Sequence, residues 1–303
     1  MGKTSSKEYS KPTVPPVQKR LPSPWRNPPP FNEEYLMTLK NKIQEYRPTG
    51  SGNVSEVRIL MIGPVGAGKS SFANTINSIF QDGIDTGLCR SGTDAMHNAT
   101  SITMTYRQFK IRSIESGRPL NFRLCDTCGI EVNSGPDLVD LYFLVEGNVP
   151  DGYEFDPKRP IRPDIVGFRS EPELKDKIHC VIFVFDATSV KITPTALWDK
   201  VNQLQRRMRE IPRLVVLTKI DSLWSELKTD VSKMYESKDV EEAVNVVSTK
   251  LGIIRQDVLP IRNYENDACL DNRVSILALQ ALDRMLSNAK SYIYSLEDLM
   301  EIS

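Results

Sequence analysis

From Val57 to Ile62 apolar residues fill every position but Arg58, and the run stops at Gly63. A half-exposed strand would alternate, so a nearly continuous run predicts a strand buried on both faces of a parallel sheet. Phe72, Ala73, Ile76, Ile79 and Phe80 follow at helical spacing, which makes the stretch strand, loop, helix. Further on, Phe122, Leu124 and Cys125 predict a strand, and Val181 to Phe185 predict another that ends at Asp186. Leu197, Val201, Leu204, Met208 and Ile211 lie on one helical stripe before the apolar run Leu214 to Leu217. Val258, Leu259 and Ile261 predict a last short strand, which Pro260 confines to an edge or a bulge. Ile276, Leu279, Leu282, Met285 and Leu286 predict a C-terminal helix that continues through Ile293, Leu296 and Leu299. Strands alternating with helices in this way predict a doubly wound, mostly parallel sheet with helices on both faces.

The less regular parts set the boundaries. Residues 1–31 hold eight prolines between Pro12 and Pro30, with basic residues among them, and are expected to be a disordered tail. Asn32 followed by Glu33 and Glu34 predicts a helix start, with Leu36, Leu39, Ile43 and Tyr46 on one stripe up to Pro48. A helix and linker over 32–53 therefore lead into a main domain over 54–303. Asp82 to Thr100 is polar and glycine-containing, and Ile102, Met104, Tyr106 and Phe109 then predict a strand. Between about 131 and 177 six prolines mark an insertion larger than a helical crossover needs.

Composition narrows the classes. The chain has 303 residues, of which 40% are hydrophobic, and its formal charge is zero. The first thirty residues carry six basic side chains against Glu8 alone, which leaves the remainder net negative by five. Nothing here resembles the basic field that nucleic acid requires. No window reaches the ~20 apolar residues of a membrane span, and five cysteines without a framework suit a reducing compartment, so a cytoplasmic protein is expected. Cys125-x-x-Cys128 has no second ligand pair, and the two residues read as a strand end and a loop. Met1-Gly2-Lys3-Thr4-Ser5-Ser6 matches an N-acylation pattern, and the basic tail behind Gly2 would supply the second signal that weak membrane attachment needs.

Gly63-Pro64-Val65-Gly66-Ala67-Gly68-Lys69-Ser70 fills G-x-x-x-x-G-K-[ST] between the first strand and its helix, with Ser71 next. Glycines let the backbone turn its N–H groups around a phosphate, and the helix start adds its positive end. The Lys69 ammonium reaches for β- and γ-phosphates, while the Ser70 hydroxyl suits Mg²⁺. Asp126-Thr127-Cys128-Gly129 is a D-x-x-G at a strand end, where Asp126 can hold the Mg²⁺ hydration shell and Gly129 can sense a γ-phosphate. Thr100 or Thr103 is the expected switch threonine, Thr100 being the leading metal ligand of the two. Thr218-Lys219-Ile220-Asp221 ends another strand; its carboxylate can accept from guanine N1–H and the N2 amino group together, which adenine does not offer. Asn263, in the loop after the last strand, is an expected base contact. GTP or GDP with Mg²⁺ is the cofactor these residues imply. No catalytic residue is assigned: Ile130 stands where Ras-type enzymes keep a water-orienting glutamine, so slow or partner-dependent hydrolysis is expected unless Glu131 or an insertion residue substitutes.

The ordered set GPVGAGKSSF, LCDTCG, LKDKIHCVIFVFD and TKID, with PDGYEFDP in the insertion, resembles the interferon-induced protein 44 and 44-like family over about residues 25–303. That resemblance implies a Ras-like P-loop NTPase fold and a cytoplasmic, interferon-induced, guanine nucleotide-binding protein of antiviral innate immunity. Longer members carry an N-terminal TLDc domain, where this chain has its proline-rich tail. Protein partners in immune signalling, self-association included, are expected to depend on nucleotide state. The other reading is an interaction or scaffold protein that keeps GTP as a structural cofactor without meaningful turnover.

Overall fold

The computed structural model describes residues 20–48, 54–89, 105–132, 135–156 and 159–302. Its centre is β1 (Val57–Ile62), whose side chains are buried except for the half-buried Arg58. The sheet has six strands in the order β2-β3-β1-β4-β5-β6, with β2 (Arg107–Arg112), β3 (Pro119–Asp126), β4 (Cys180–Asp186), β5 (Arg213–Thr218) and β6 (Val258–Pro260). All neighbours are parallel except β2 and β3. Parallel strands buried on both faces need apolar runs, and β4 and β5 supply them.

Helices cover both faces. α1 (Glu33–Gln44), α2 (Lys69–Phe80) and the long α6 (Asn272–Ile302) pack together on one side, and α3 (Leu138–Val145), α4 (Thr195–Arg207) and α5 (Lys238–Leu251) line up on the other. On that second side Trp198 stacks on Phe185 of β4 with ring centroids 4.8 Å apart. This is the doubly wound α/β architecture the alternation predicts, and it is consistent with the P-loop NTPase fold the resemblance implies. The Asn32 side chain accepts from Tyr35 N at 2.8 Å and caps α1, whose Leu39 and Ile43 are buried. Pro260 falls in β6 at the sheet edge, where a missing N–H costs one ladder bond at most.

Three expectations need correcting or limiting. The tail expected to run to residue 31 is packed from Arg20 onward. Leu21 N donates to Glu236 O at 2.7 Å, Trp25 N to Tyr235 O at 2.9 Å, and the Trp25 ring lies 5.7 Å from that of Tyr235. Proline content suggested disorder, but Trp25 and Phe31 are large apolar side chains that a surface can hold, and Arg26 covers the Trp25 ring at 4.7 Å. Among the described residues the edge strand runs from Arg107 to Arg112, past Phe109, because Ile111 continues the inward alternation on this half-exposed strand. Ile102, Met104, the switch candidates Thr100 and Thr103, and Gly2 lie outside the described residues. The insertion contributes α3 and then a segment that reaches the sheet edge: Tyr106 N donates to Tyr153 O at 2.7 Å, and Thr105 bridges Glu154. Among the described residues no helix is long and apolar enough to cross a membrane.

His179 fixes the approach to β4. Its Nδ1 accepts from Arg58 N at 2.9 Å, so Nε2 carries the proton and donates to Leu174 O at 2.9 Å. Burial holds the imidazole neutral, its pKa lowered from 6.5 to about 4. The unfolded chain then binds the extra proton first, so this contribution is complete above pH 6.5, falls between 6.5 and about 4, and is level below that. We expect His179→Leu to abolish that part of the acid slope, about 3 kcal/mol over the window. An unchanged difference in urea stability between pH 7 and pH 4 would contradict it.

Candidate functional site

The site forms where β1 gives way to α2. Gly63 is required by close approach, since a Cβ there would sit 2.1 Å from Val184 O in the neighbouring strand. Gly66 (φ 72°) and Gly68 (φ 91°) take left-handed conformations that an L side chain rarely adopts. With Pro64, Val65 and Ala67 between them, these residues form the expected loop, and Lys69, Ser70 and Ser71 form the first turn of α2.

The loop is held by its carbonyl groups. Lys69 Nζ donates to Gly63 O at 3.0 Å and Pro64 O at 3.2 Å, Lys219 Nζ to Gly66 O at 2.8 Å, and the Thr218 hydroxyl to Ala67 O at 2.6 Å. Asn263 Nδ2 reaches Gly68 O at 3.3 Å. In a trans peptide the C=O and N–H point opposite ways, so tying the carbonyls of Pro64, Ala67 and Gly68 to the surrounding protein leaves the Val65, Gly68 and Lys69 amides facing away from those anchors, while Pro64 has no N–H and the Ala67 amide donates to Pro64 O at 3.2 Å.

Lys69 is buried beside Asp126. Burial lowers the lysine's pKa and raises the aspartate's, and each charge opposes the other's shift. Ser70 Oγ donates to Asp126 Oδ2 at 2.7 Å, so the hydroxyl and carboxylate expected to serve Mg²⁺ lie side by side. Among the described residues no cluster of three or more His, Cys, Asp or Glu forms a metal site of another kind. Cys125 is the next-to-last residue of β3 and Cys128 lies in the following loop; burial pushes their thiols up to about 12 and about 11, which leaves them unreactive.

The D-x-x-G loop lies directly on the phosphate loop. A Cβ on Gly129 would meet Val65 N at 2.7 Å, and Ile130 N donates to Gly63 O at 3.0 Å. The Ile130 side chain is fully buried, so the position after the glycine anchors the loop and presents nothing to a substrate. Glu131 is exposed and its carbonyl accepts from Lys200 Nζ at 2.9 Å.

At the other end a cleft of about 280 Å³ opens between Lys219, Asp221, Ser222, Lys228, Arg262 and Asn263. Asp221 reaches it from the short 3-10 turn Ile220–Ser222, and Lys219 enters that turn at φ 56°. The structure thus brings together residues 63–71, Asp126, Gly129, Thr218, Lys219, Asp221 and Asn263.

Sequence reasoning missed three contributors. Asp186 accepts from Lys219 Nζ at 2.9 Å and from the Thr188 hydroxyl at 2.6 Å, which sets the lysine stem. Its place at the end of an apolar strand beside the site was a readable signal. Thr75 donates to Asn263 Oδ1 at 3.4 Å from within α2, and Arg262, ion-paired to Asp267, walls the cleft; neither carried a sequence signal.

Gly63→Ala is expected to destabilise the protein by at least about 2 kcal/mol, because backbone would have to move from backbone. A urea midpoint unchanged from the parent would show that the close approach of β1 to β4 is not a constraint.

No family model matches the chain. It is 37% identical over 270 residues to human interferon-induced protein 44-like, and 35% identical over 269 residues to human interferon-induced protein 44. Each alignment covers 88% of this chain, and the chain spans 58% and 59% of the length of those relatives. The mouse interferon-induced protein 44 is 34% identical over 263 residues. Among solved structures, a crystal structure of a probable GTP-binding protein engB is similar with a TM-score of 0.41 and 13% identity, covering 78% of this chain and 99% of that one. Over the 88% of its length that aligns, the chain is similar to members of the interferon-induced protein 44 and 44-like family.

Proposed function

We propose that the chain binds GTP and GDP with Mg²⁺ and acts, as a nucleotide-dependent effector or regulator, in the interferon-induced antiviral response of the cytoplasm. One observation carries the nucleotide part: Thr218 and Lys219 bond the carbonyls of Ala67 and Gly66, so the base-reading turn and the phosphate loop are one construction. A ligand with a phosphate at one end and a purine at the other fits that coupling. The cellular role rests on the names of the relatives.

In this reading the loop amides and Lys69 hold the phosphates, and Asp221 accepts from the guanine N1–H and N2 amino groups. The Lys219 stem, fixed by Asp186, lies along the base. Ser70 and Asp126 would hold Mg²⁺, for which paired oxygen donors are apt. When bound, the ion neutralises phosphate charge; these residues orient it. Hydrolysis is slow in this scheme. Ile130 is buried and tied to Gly63 O, so nothing at that position orients water, and turnover waits on a partner or on movement of the loop. The same latch also favours a second reading, in which GTP is a structural cofactor of an interaction protein and never turns over.

Calorimetry should find GTP and GDP bound about 10- to 100-fold more tightly than ATP, with Asp221→Asn moving the preference toward xanthine nucleotides. Equal affinity for GTP and ATP would overturn the guanine assignment. Lys69→Ala should lose the phosphate-dependent part of the affinity while the sheet stays folded. Single-turnover hydrolysis with labelled GTP separates the two readings: a rate that rises with protein concentration or an added partner supports the switch, and none at any concentration supports the structural cofactor.

A further inference from the structure

Beyond its first turn α2 buries the polar side chains of Asn74, Thr75, Asn77 and Ser78. Asn74, Asn77 and Ser78 hold the segment that follows the helix. Asn74 Nδ2 donates to Cys89 O at 2.7 Å and its Oδ1 accepts from Cys89 N at 2.7 Å, Asn77 Nδ2 donates to Asp85 Oδ2 at 2.8 Å, and Ser78 Oγ accepts from Asp85 N at 2.9 Å. Thr75 bonds elsewhere.

Inside a helix a threonine hydroxyl usually returns to a carbonyl of the preceding turn. Both bonds of the Thr75 hydroxyl instead leave α2 for the loop after β6: it accepts from Tyr264 N at 3.0 Å and donates to Asn263 Oδ1 at 3.4 Å. Thr75 is fully buried, so water does not compete for either bond. The same loop is pinned at its far side by the Tyr264 hydroxyl, which accepts from Asp271 N at 2.9 Å and lies 2.9 Å from Ser275 Oγ in the first turn of α6. A valine would pack in the space of Thr75 without a hydroxyl, so filling the interior does not account for it. What the hydroxyl adds is a fixed place for the loop.

That place matters because the loop walls the base cleft. Arg262, Asn263, Glu265, Asn266 and Asp267 line the cleft with Asp221, which comes from the turn after β5. The ion pair of Arg262 with Asp267 is internal to the loop and does not tie it to the phosphate side. Thr75 does.

We propose that Thr75 is a positioning residue for nucleotide selection: through Tyr264 N and Asn263 it sets one wall of the base cleft from the helix whose first turn serves the phosphates. The inference rests on the guanine reading of the site. A guanine seated on Asp221 needs the facing wall at a fixed distance, so loosening that wall weakens it. An adenine makes no matching bonds to Asp221 and has less to lose. Phosphate binding does not pass through the loop, because Gly68 O accepts from Phe72 N at 2.9 Å as well as from Asn263 Nδ2 and stays anchored if Asn263 shifts.

The test is calorimetry of the full chain with Mg²⁺ and GDP, ADP or tripolyphosphate. Thr75→Val should weaken GDP about tenfold, the scale of a buried donor left unpaired, and leave tripolyphosphate within about twofold. The preference for GDP over ADP then shrinks, and Thr75→Ser, which keeps the hydroxyl, should restore it. Equal losses for all three ligands would show a structural role alone and overturn the proposal. A wild-type chain that prefers GDP beside a Thr75→Val chain with the same preference also overturns it, whereas equal wild-type affinity for GDP and ADP overturns the guanine reading and this inference together. A second measurement needs no variant. In the wild-type chain, exchange of the Tyr264 amide should slow with GDP and not with tripolyphosphate, and no slowing with GDP would contradict the proposal.

Discussion

The orientation of five peptide groups governs this molecule. The carbonyls of Gly63, Pro64, Gly66, Ala67 and Gly68 accept from Lys69, Ile130, Lys219, Thr218 and Asn263, donors drawn from the helix that follows and from the ends of three other strands. At Pro64, Ala67 and Gly68 the bond leaves the amide of the next residue, Val65, Gly68 or Lys69, facing away from the anchored carbonyl, whereas Pro64 has no N–H and the Ala67 amide donates to Pro64 O. A loop of this kind has left-handed glycines and no side-chain core of its own, so its shape is imposed from outside. The surrounding strands impose it only if they end in register. The parallel pairing of β1 with β3 and β4, and of β4 with β5, brings Ile62, Asp126, Asp186 and Thr218 to the same end of the sheet.

Burial then works on the charges gathered there. Lys69 and Asp126 are both nearly sealed from water; burial lowers the lysine's pKa and raises the aspartate's, while each charge opposes the other's shift and the Ser70 hydroxyl's bond favours the carboxylate. At the base end the solution is different: Lys219 and Asp186 are partly exposed, and their bond orients the lysine stem more than it stabilises the fold. One end of the site is electrostatically tense and the other is geometrically fixed.

Much of this was legible in the sequence because it follows from local rules. The buried strands announced themselves as apolar runs, α2 and α4 as stripes, and the phosphate loop as glycines followed by Lys69 and Ser70. Thr218 was readable because it ends a strand, and Asp221 because it stands three residues beyond that end. What failed was long-range. Proline content argued for a free segment up to residue 31, but Trp25 finds Met234 O and the Tyr235 ring more than two hundred residues away. The contact of Tyr106 with Tyr153 that joins the insertion to the sheet edge, and the grip of Thr75 on Asn263, also depend on partners that no spacing rule connects.

The central claim is that the loop amides are turned inward in advance to receive phosphate and that the base end selects the ligand. Amide-resolved hydrogen exchange across residues 65–70, with GDP or ADP added in the presence of Mg²⁺, tests it most directly. The account predicts strong protection of the Gly68 and Lys69 amides by GDP and little by ADP at equal concentration. Equal protection by the two nucleotides, or none by either, would contradict it.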